Sequence, residues 1–314
     1  MCACVRKLSS RKYGSDDHEG EEVVVAANSA DAIDGLTLAR PVALQKRWYL
    51  GMAVSAILTA AYYVRPIHML ILLAMAWFGI PTRLIGSLTF SLVLLSMFIQ
   101  PRQSSVMVGR LLSPLLDYFD YDQIVENSPI HIRETMKEGK RYIFACQPHG
   151  IVPFCGMAWS IFNAKLHEGN PIPTAVASLV LYTPILQHVM GIFGIVSASR
   201  SSLRKTLQTK SIQLYVGSTT EIFDCTSQVE VLQLSKRGRG FIKFALQEGV
   251  DIIPVYMFGN TSIFSVWKHP WLREASQVLQ LPFTYFWGVY GLPIPHNDKV
   301  GCLSGFCCLR WFDN

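Results

Sequence analysis

YIFACQPHGIVPFCG, residues Tyr142 to Gly156, reads as a short buried strand running into a polar turn. Tyr142 to Cys146 is apolar throughout, as a strand covered on both faces must be. Gln147, Pro148, His149 and Gly150 then form the turn, and a second apolar run follows. Pro148 restricts the backbone before the imidazole and Gly150 frees it after. A histidine placed this way titrates near neutral pH and can take a proton from a hydroxyl, so His149 is the candidate general base. No other histidine combines a strand end with flanking Pro and Gly; His167 and His188 read as structural.

Working outward, elements alternate. Strands are expected at Tyr142–Cys146, Ala175–Val180, Ile195–Ala198, Ile212–Val216, Val229–Leu232 and Ile252–Met257. Helices are expected near Pro184–Phe193, Ser202–Lys210 and Gly240–Gln247. Such alternation means a layered α/β domain, with catalytic groups in the turns at strand ends. Ser199 and Arg200 follow the third strand, where an Arg can clamp a phosphate or a glycerol oxygen; the plain alternative is a surface Arg. Lys236, Arg237, Arg239 and Lys243 cluster around Gly238 and Gly240. A glycine-rich turn entering a helix suits an anion, although a solvated basic face has the same composition.

The chain has 314 residues, half of them apolar and only 16% charged, with a net charge of +6. The first 40 residues carry five Lys/Arg against seven Asp/Glu, leaving 23 against 15 in the body. A basic body suits an anionic partner, a membrane surface or a phosphate-bearing ligand. No nucleic-acid motif is present, so nucleic acid is excluded as a partner. The eight cysteines show no CxxC or Cys/His ligand spacing, so no metal site is expected and the thiols should be reduced.

Residues 1–40 are expected to be a disordered tail, with Cys2 and Cys4 beside Arg6 and Lys7 as candidates for lipidation. Residues 45–102 hold apolar runs at Trp48–Val64, Met69–Ile80 and Leu84–Ile99, interrupted at Arg65, His68, Pro81 and Arg83. This pattern fits a membrane-embedded helical hairpin, re-entrant helices in one leaflet, or a buried hairpin of a soluble domain. The first is adopted, with Lys46, Arg47 and Arg102 placing both ends in the cytosol. Residues 103–140 read as an amphipathic linker, 141–300 as the α/β domain and 301–314 as a divergent tail.

The turn at Gln147–Gly150 resembles the HPHG-type signature of the diacylglycerol acyltransferase 2 family. The resemblance continues in order through SASRSSL (Ser197–Leu203), YVGSTTEI (Tyr215–Ile222), KRGRGFIKFALQEGVDIIPVYMFGN (Lys236–Asn260) and GLPIP (Gly291–Pro295). It implies a glycerolipid-acyltransferase-like domain transferring an acyl group from acyl-CoA to diacylglycerol, with no cofactor. Monoacylglycerol or a long-chain alcohol is the alternative acceptor. An inactive lipid-binding or partner protein is the rival of another class. In glycerolipid acyltransferases more broadly an Asp follows the His by five residues; here Phe154 stands there, as the family allows. Glu221, in the family's Gly-Gly-x-x-Glu type of turn, is then the candidate that orients His149. Its alternative is a carboxylate at a helix N-terminus. The resemblance assigns substrate contacts to Gln147, Pro148, Gly150, Ser199, Arg200, Gly217, Arg237, Arg239, Gly240, Phe241, Lys243, Gly259 and Asn260. Relatives usually carry Glu at the position of Asn260. The resemblance also implies the endoplasmic reticulum membrane, with a cytosol-facing domain, lipid droplets as a second location and a truncated or divergent C-terminus. It leaves homo-oligomerisation open.

Overall fold

The structure is a computed structural model. It describes residues 21–26, 36–39, 47–77, 102–104, 106–126, 129–166, 172–183, 185–217, 221–225, 229–234, 240–279, 284–298 and 300–304, with 91, 95 and 99 as single positions. Arg237, Arg239, most of residues 78–101 and the tail beyond residue 304 lie outside the described residues.

An eight-stranded sheet organises the chain. Its strands are β2 (Leu36–Ala39), β3 (Asp122–Glu126), β4 (Tyr142–Gln147), β5 (Thr174–Val176), β6 (Ile195–Ser197), β7 (Ile212–Tyr215), β9 (Asp251–Phe258) and β12 (Gly301–Ser304). Their order across the sheet is β2-β3-β12-β9-β4-β7-β5-β6. From β9 to β6 every neighbour is parallel, whereas β12 runs antiparallel to β9 and parallel to β3. The α/β expectation holds. A separate pair joins β1 (Glu21–Ala26) antiparallel to β8 (Val229–Leu234), and a small hairpin joins β10 (Ser265–Val266) to β11 (Phe286–Trp287).

The central strand β4 is buried on both faces. Tyr142, Phe144 and Cys146 point into the larger core, which holds helix α4 (Phe154–Leu166). Ile143 points the other way, against Leu203 and Leu207 of α7 (Arg200–Leu207) and Phe244 and Ala245 of α9 (Gly240–Glu248). The remaining helices are α1 (Trp48–Trp77), α2 (Pro114–Tyr118), α3 (Pro129–Lys137), α5 (Ser178–Leu181), α6 (Leu186–Gly191), α8 (Glu221–Asp224) and α10 (Pro270–Leu279). Helices on both faces bring the ends of β4, β7 and β9 together at one edge. In open α/β sheets this is where ligands bind.

Several expectations change. Within the supposed disordered tail, residues 21–26 and 36–39 are strands; Val23, Val24 and Val25 supply the β-branched run that pairs with Val229–Leu234. The supposed linker over 103–140 is core: Leu115, Leu116, Tyr118, Phe119 and Tyr121 are buried, and β3 joins the sheet. The strand expected over Ala175–Val180 ends at Val176 and gives way to α5. Val229–Leu232 is a strand, but of the separate pair. Gly301–Ser304, within the expected tail, is a strand of the sheet. Val300, Cys302 and Ser304 are buried in alternation, the signature of a strand with a covered face.

The apolar region also differs. Helix α1 runs 30 residues without a break at Arg65, Pro66 or His68. One proline removes one backbone hydrogen bond, which a long helix absorbs. Its side chains are described up to Tyr63. Val54, Leu58 and Ala61 bury against the core, Gly51 approaches the Pro114 carbonyl of α2, and Tyr62 and Tyr63 reach Met190 and Phe286. Tyr49 and Ile57 face outward. Among the described residues no helix is long and apolar enough to cross a membrane, so the hairpin expectation is not supported.

Candidate active site

Three strand ends build the site: the turn after β4, the turn after β7 and the turn after β9. After β4 the chain passes a cis Gln147–Pro148 bond to His149 and Gly150. Gly150 has φ +63°, in the left-handed region, and a Cβ there would fall 2.6 Å from the Asn260 amide nitrogen. Glycine is therefore required by conformation and by space.

His149 Nδ1 lies 2.7 Å from the carbonyl oxygen of Gly150. A carbonyl can only accept, so Nδ1 carries the proton and Nε2 presents its lone pair. The ring meets Tyr215, at the end of β7, edge to face with centroids 4.6 Å apart. His149 keeps part of its surface exposed, yet burial of the ring lowers its pKa below the ordinary 6.5. The imidazole is thus neutral near neutral pH, in the tautomer that a base needs. Among the described residues no carboxylate hydrogen-bonds it.

Phe154, where a carboxylate would stand, is buried against Phe119 and Phe264, with centroids 5.2 and 6.1 Å away. Glu221 is buried at the first turn of α8. It packs under Gly217, where a Cβ would meet its Oε2 at 2.2 Å. Gly217 thus makes room for Glu221, and the orienting contact on His149 comes from the Gly150 carbonyl.

Asn260 occupies the turn after β9, following Gly259 at φ +74°. Its Nδ2 donates to the carbonyls of His149 (2.6 Å) and Pro148 (3.3 Å), and its Oδ1 accepts the Cys155 backbone N–H (3.0 Å). Beside it, Thr261 Oγ1 donates to Glu230 Oε1 at 2.6 Å, and the Tyr256 hydroxyl donates to the other oxygen of Glu230. Burial pushes the Glu230 carboxyl above its usual range, opposed by those two donors. Gln147 has a buried Nε2 with no hydrogen-bond partner among the described residues.

Two contributors were missed by sequence reasoning. Tyr215 walls the imidazole, and Gly156 admits it: a Cβ on Gly156 would meet the Tyr215 hydroxyl at 1.7 Å. The signal was available, as the Gly that closes the opening stretch and the Tyr that begins YVGSTTEI. Behind them Cys155 and Cys302 lie with sulfurs 3.3 Å apart. Burial raises the Cys146 and Cys155 thiols well above the ordinary cysteine value, so neither is a ready nucleophile.

The sequence thus placed Gln147, Pro148, His149, Gly150, Gly259 and Asn260 in what is one cluster. Ser199, Arg200, Gly240, Phe241 and Lys243 belong to the α7 and α9 starts, with all but Phe241 exposed. Away from those starts, Arg204 of α7 and Glu248, the last residue of α9, bridge the two helices at 2.7 Å. No cluster of metal-binding side chains occurs among the described residues.

A family model described as diacylglycerol acyltransferase matches residues 114–293, from the start of α2 across the whole cluster. The chain belongs to the diacylglycerol acyltransferase family. Diacylglycerol O-acyltransferase 2 of Dictyostelium discoideum is 33% identical over 162 residues, 49% of this chain and 46% of that protein. The Danio rerio protein of the same name is 26% identical over 185 residues, 55% and 51% of the two chains. The 2-acylglycerol O-acyltransferase 1 of Mus musculus is 29% identical over 198 residues, 56% and 57%. The chain spans about half the length of the relatives it matches. No solved structure matches it. In this family member the match starts inside the segment that sequence reasoning read as a linker.

Proposed function

We propose that this chain is a membrane-bound, acyl-CoA-dependent O-acyltransferase that converts diacylglycerol to triacylglycerol, with His149 as general base. The observation that carries the reading is the tautomer of His149: Nδ1–H is tied to Gly150, leaving Nε2 free at a strand-end turn. Nε2 takes the proton of the acceptor hydroxyl while its oxygen attacks the thioester carbon. The resulting oxyanion needs a donor, and the unpartnered Gln147 amide is the group of this turn that has one to give. Collapse breaks the C–S bond, and the imidazolium returns its proton to the departing coenzyme A sulfur. The protonated thiols of Cys146 and Cys155 favour this direct transfer over an acyl-cysteine intermediate.

Lys243, beside Gly240 at the start of α9, and Arg200, at the start of α7, are the exposed cations offered to coenzyme A phosphates. Membrane attachment rests on the water-insoluble substrates and on outward-facing Tyr49, Ile57, Val106 and Leu111. It extends to residence at the endoplasmic reticulum with the domain facing the cytosol. Monoacylglycerol is the second acceptor to consider, because relatives named 2-acylglycerol O-acyltransferase match over the same share of the chain.

The test is labelled acyl transfer in microsomes from cells lacking other such enzymes, with diacylglycerol, monoacylglycerol and a long-chain alcohol offered in turn. Triacylglycerol formed by the wild type and not by His149→Ala supports the reading. Labelled diacylglycerol as the sole product moves it to the second acceptor. Membrane binding without any transfer makes the chain a lipid-binding protein instead.

A further inference from the structure

We infer that Asn260 is the positioning residue of the base, a side-chain amide that clamps the His149 turn to the N-terminus of α4; this rests on His149 acting as proposed. An imidazole oriented by a carboxylate is held by a side chain with its own anchorage. Here the orienting group is the carbonyl of Gly150, and a carbonyl is only as fixed as its turn. The described hydrogen bonds that fix this turn from outside come from Asn260, to the carbonyls of Pro148 and His149.

The amide works in both directions. Its nitrogen supplies both donors to the turn. Its oxygen accepts the Cys155 N–H, one of the amide groups that the first turn of a helix leaves without an internal partner. Only a carboxamide fits, because a carboxylate has no N–H and would face two carbonyl oxygens. Asn260 is 2% exposed, so water cannot substitute for it. Its own backbone is braced on either side: Ser262 Oγ donates to the Gly259 carbonyl at 2.9 Å, and Thr261 is tied to Glu230. The fit is tight, since a Cβ on Gly150 would press on Nδ2 and on the Asn260 carbonyl at 2.6 and 2.8 Å. Asn260 therefore joins three segments, the β4 turn, the α4 start and the β9 end.

The experiment compares full-length wild type with Asn260→Asp, which keeps the shape and removes the donors. Misaiming a base by a fraction of an ångström should lower kcat by roughly 10- to 100-fold. The KM for acyl-CoA should stay within about twofold, because substrate binding is not touched. A kcat within about twofold of wild type, or a raised KM at unchanged kcat, overturns the proposal. Should Asn260→Asp fail to accumulate, Asn260→Ser takes its place with the same expectations. His149→Ala is run beside them; retained transfer in that variant removes the base reading alone. The clamp is then read without activity, from melting temperatures of Gly150→Ala, Asn260→Ser and the double variant. Coupled residues give a double loss smaller than the sum of the singles, whereas additive losses overturn the clamp.

Discussion

The turn at Gln147–Gly150 and the corner of α7 and α9, two helices joined by an ion pair, are built in opposite ways. In the turn, the groups are buried or half-buried, and bonds of 2.6 to 3.3 Å hold His149 Nδ1 and both side-chain amide atoms of Asn260. At the corner, Ser199, Arg200, Gly240 and Lys243 are exposed, and the helices meet through an ion pair whose Arg204 is itself 61% exposed. A rigid, dry turn suits proton transfer, where small displacements cost rate. A wet, cationic corner suits attraction of a charged carrier, where position matters less and salt matters more.

The largest break in this comparison is His149→Ala. Transfer should fall by about 10²- to 10⁴-fold while membrane association stays unchanged, as read by microsomal assay and flotation. A retained rate above about half would show that the turn is not the chemical centre. Next comes Gln147→Leu, which removes the unpartnered donor at similar volume. Loss of one oxyanion donor costs on the order of 10²-fold in kcat. An unchanged kcat would leave the oxyanion to other donors.

The pH dependence sharpens the contrast further. Burial depresses the His149 pKa, so kcat/KM should climb with pH and level off with a midpoint below 6.5. The same shift enters stability. The unfolded chain takes up this proton first, so stability is fully present above 6.5 and is lost as pH falls from 6.5 towards the folded value. Melting temperatures of wild type and His149→Gln across that window isolate this contribution. The smallest effect belongs to the corner. Lys243→Ala should raise the KM for acyl-CoA by about tenfold or less, leave kcat alone, and do so mostly at low salt. A salt-independent loss of kcat would instead draw α9 into the dry half of the site.

Much of this was legible in the sequence because β4, β6, β7 and β9 carry their own patterns. Their apolar runs and the Gly and Pro after them place three strand ends at one edge. Periodicity alone did not reveal Gly301–Ser304, whose four residues sit between two long-range partners and carry a single buried Cys on the covered face. It also misjudged 103–140, read as an amphipathic linker, where Leu115, Leu116, Tyr118 and Phe119 floor the core. At the site, Glu221 was credited with orienting His149 because a carboxylate is the common device. Among the described residues the His149 ring bonds the Gly150 carbonyl, and a carbonyl leaves no mark in a sequence. Asn260 was read as a substrate contact where relatives usually carry Glu; its amide supplies two donors that a carboxylate lacks.

The place of β12 bears on the order in which the sheet closes. A ribosome releases β3 early and β9 later, and both must wait for Gly301–Ser304 before the gap between them is filled. Until then each presents a row of unpaired backbone groups, and β2 with β3 is a two-stranded fragment cut off from the other strands. Among the described residues β12 is the last strand to be synthesised, and it works as a latch. The interval before it docks is when the nascent chain is most exposed to edge-to-edge association, and a chaperone that shields β9 would act in that interval.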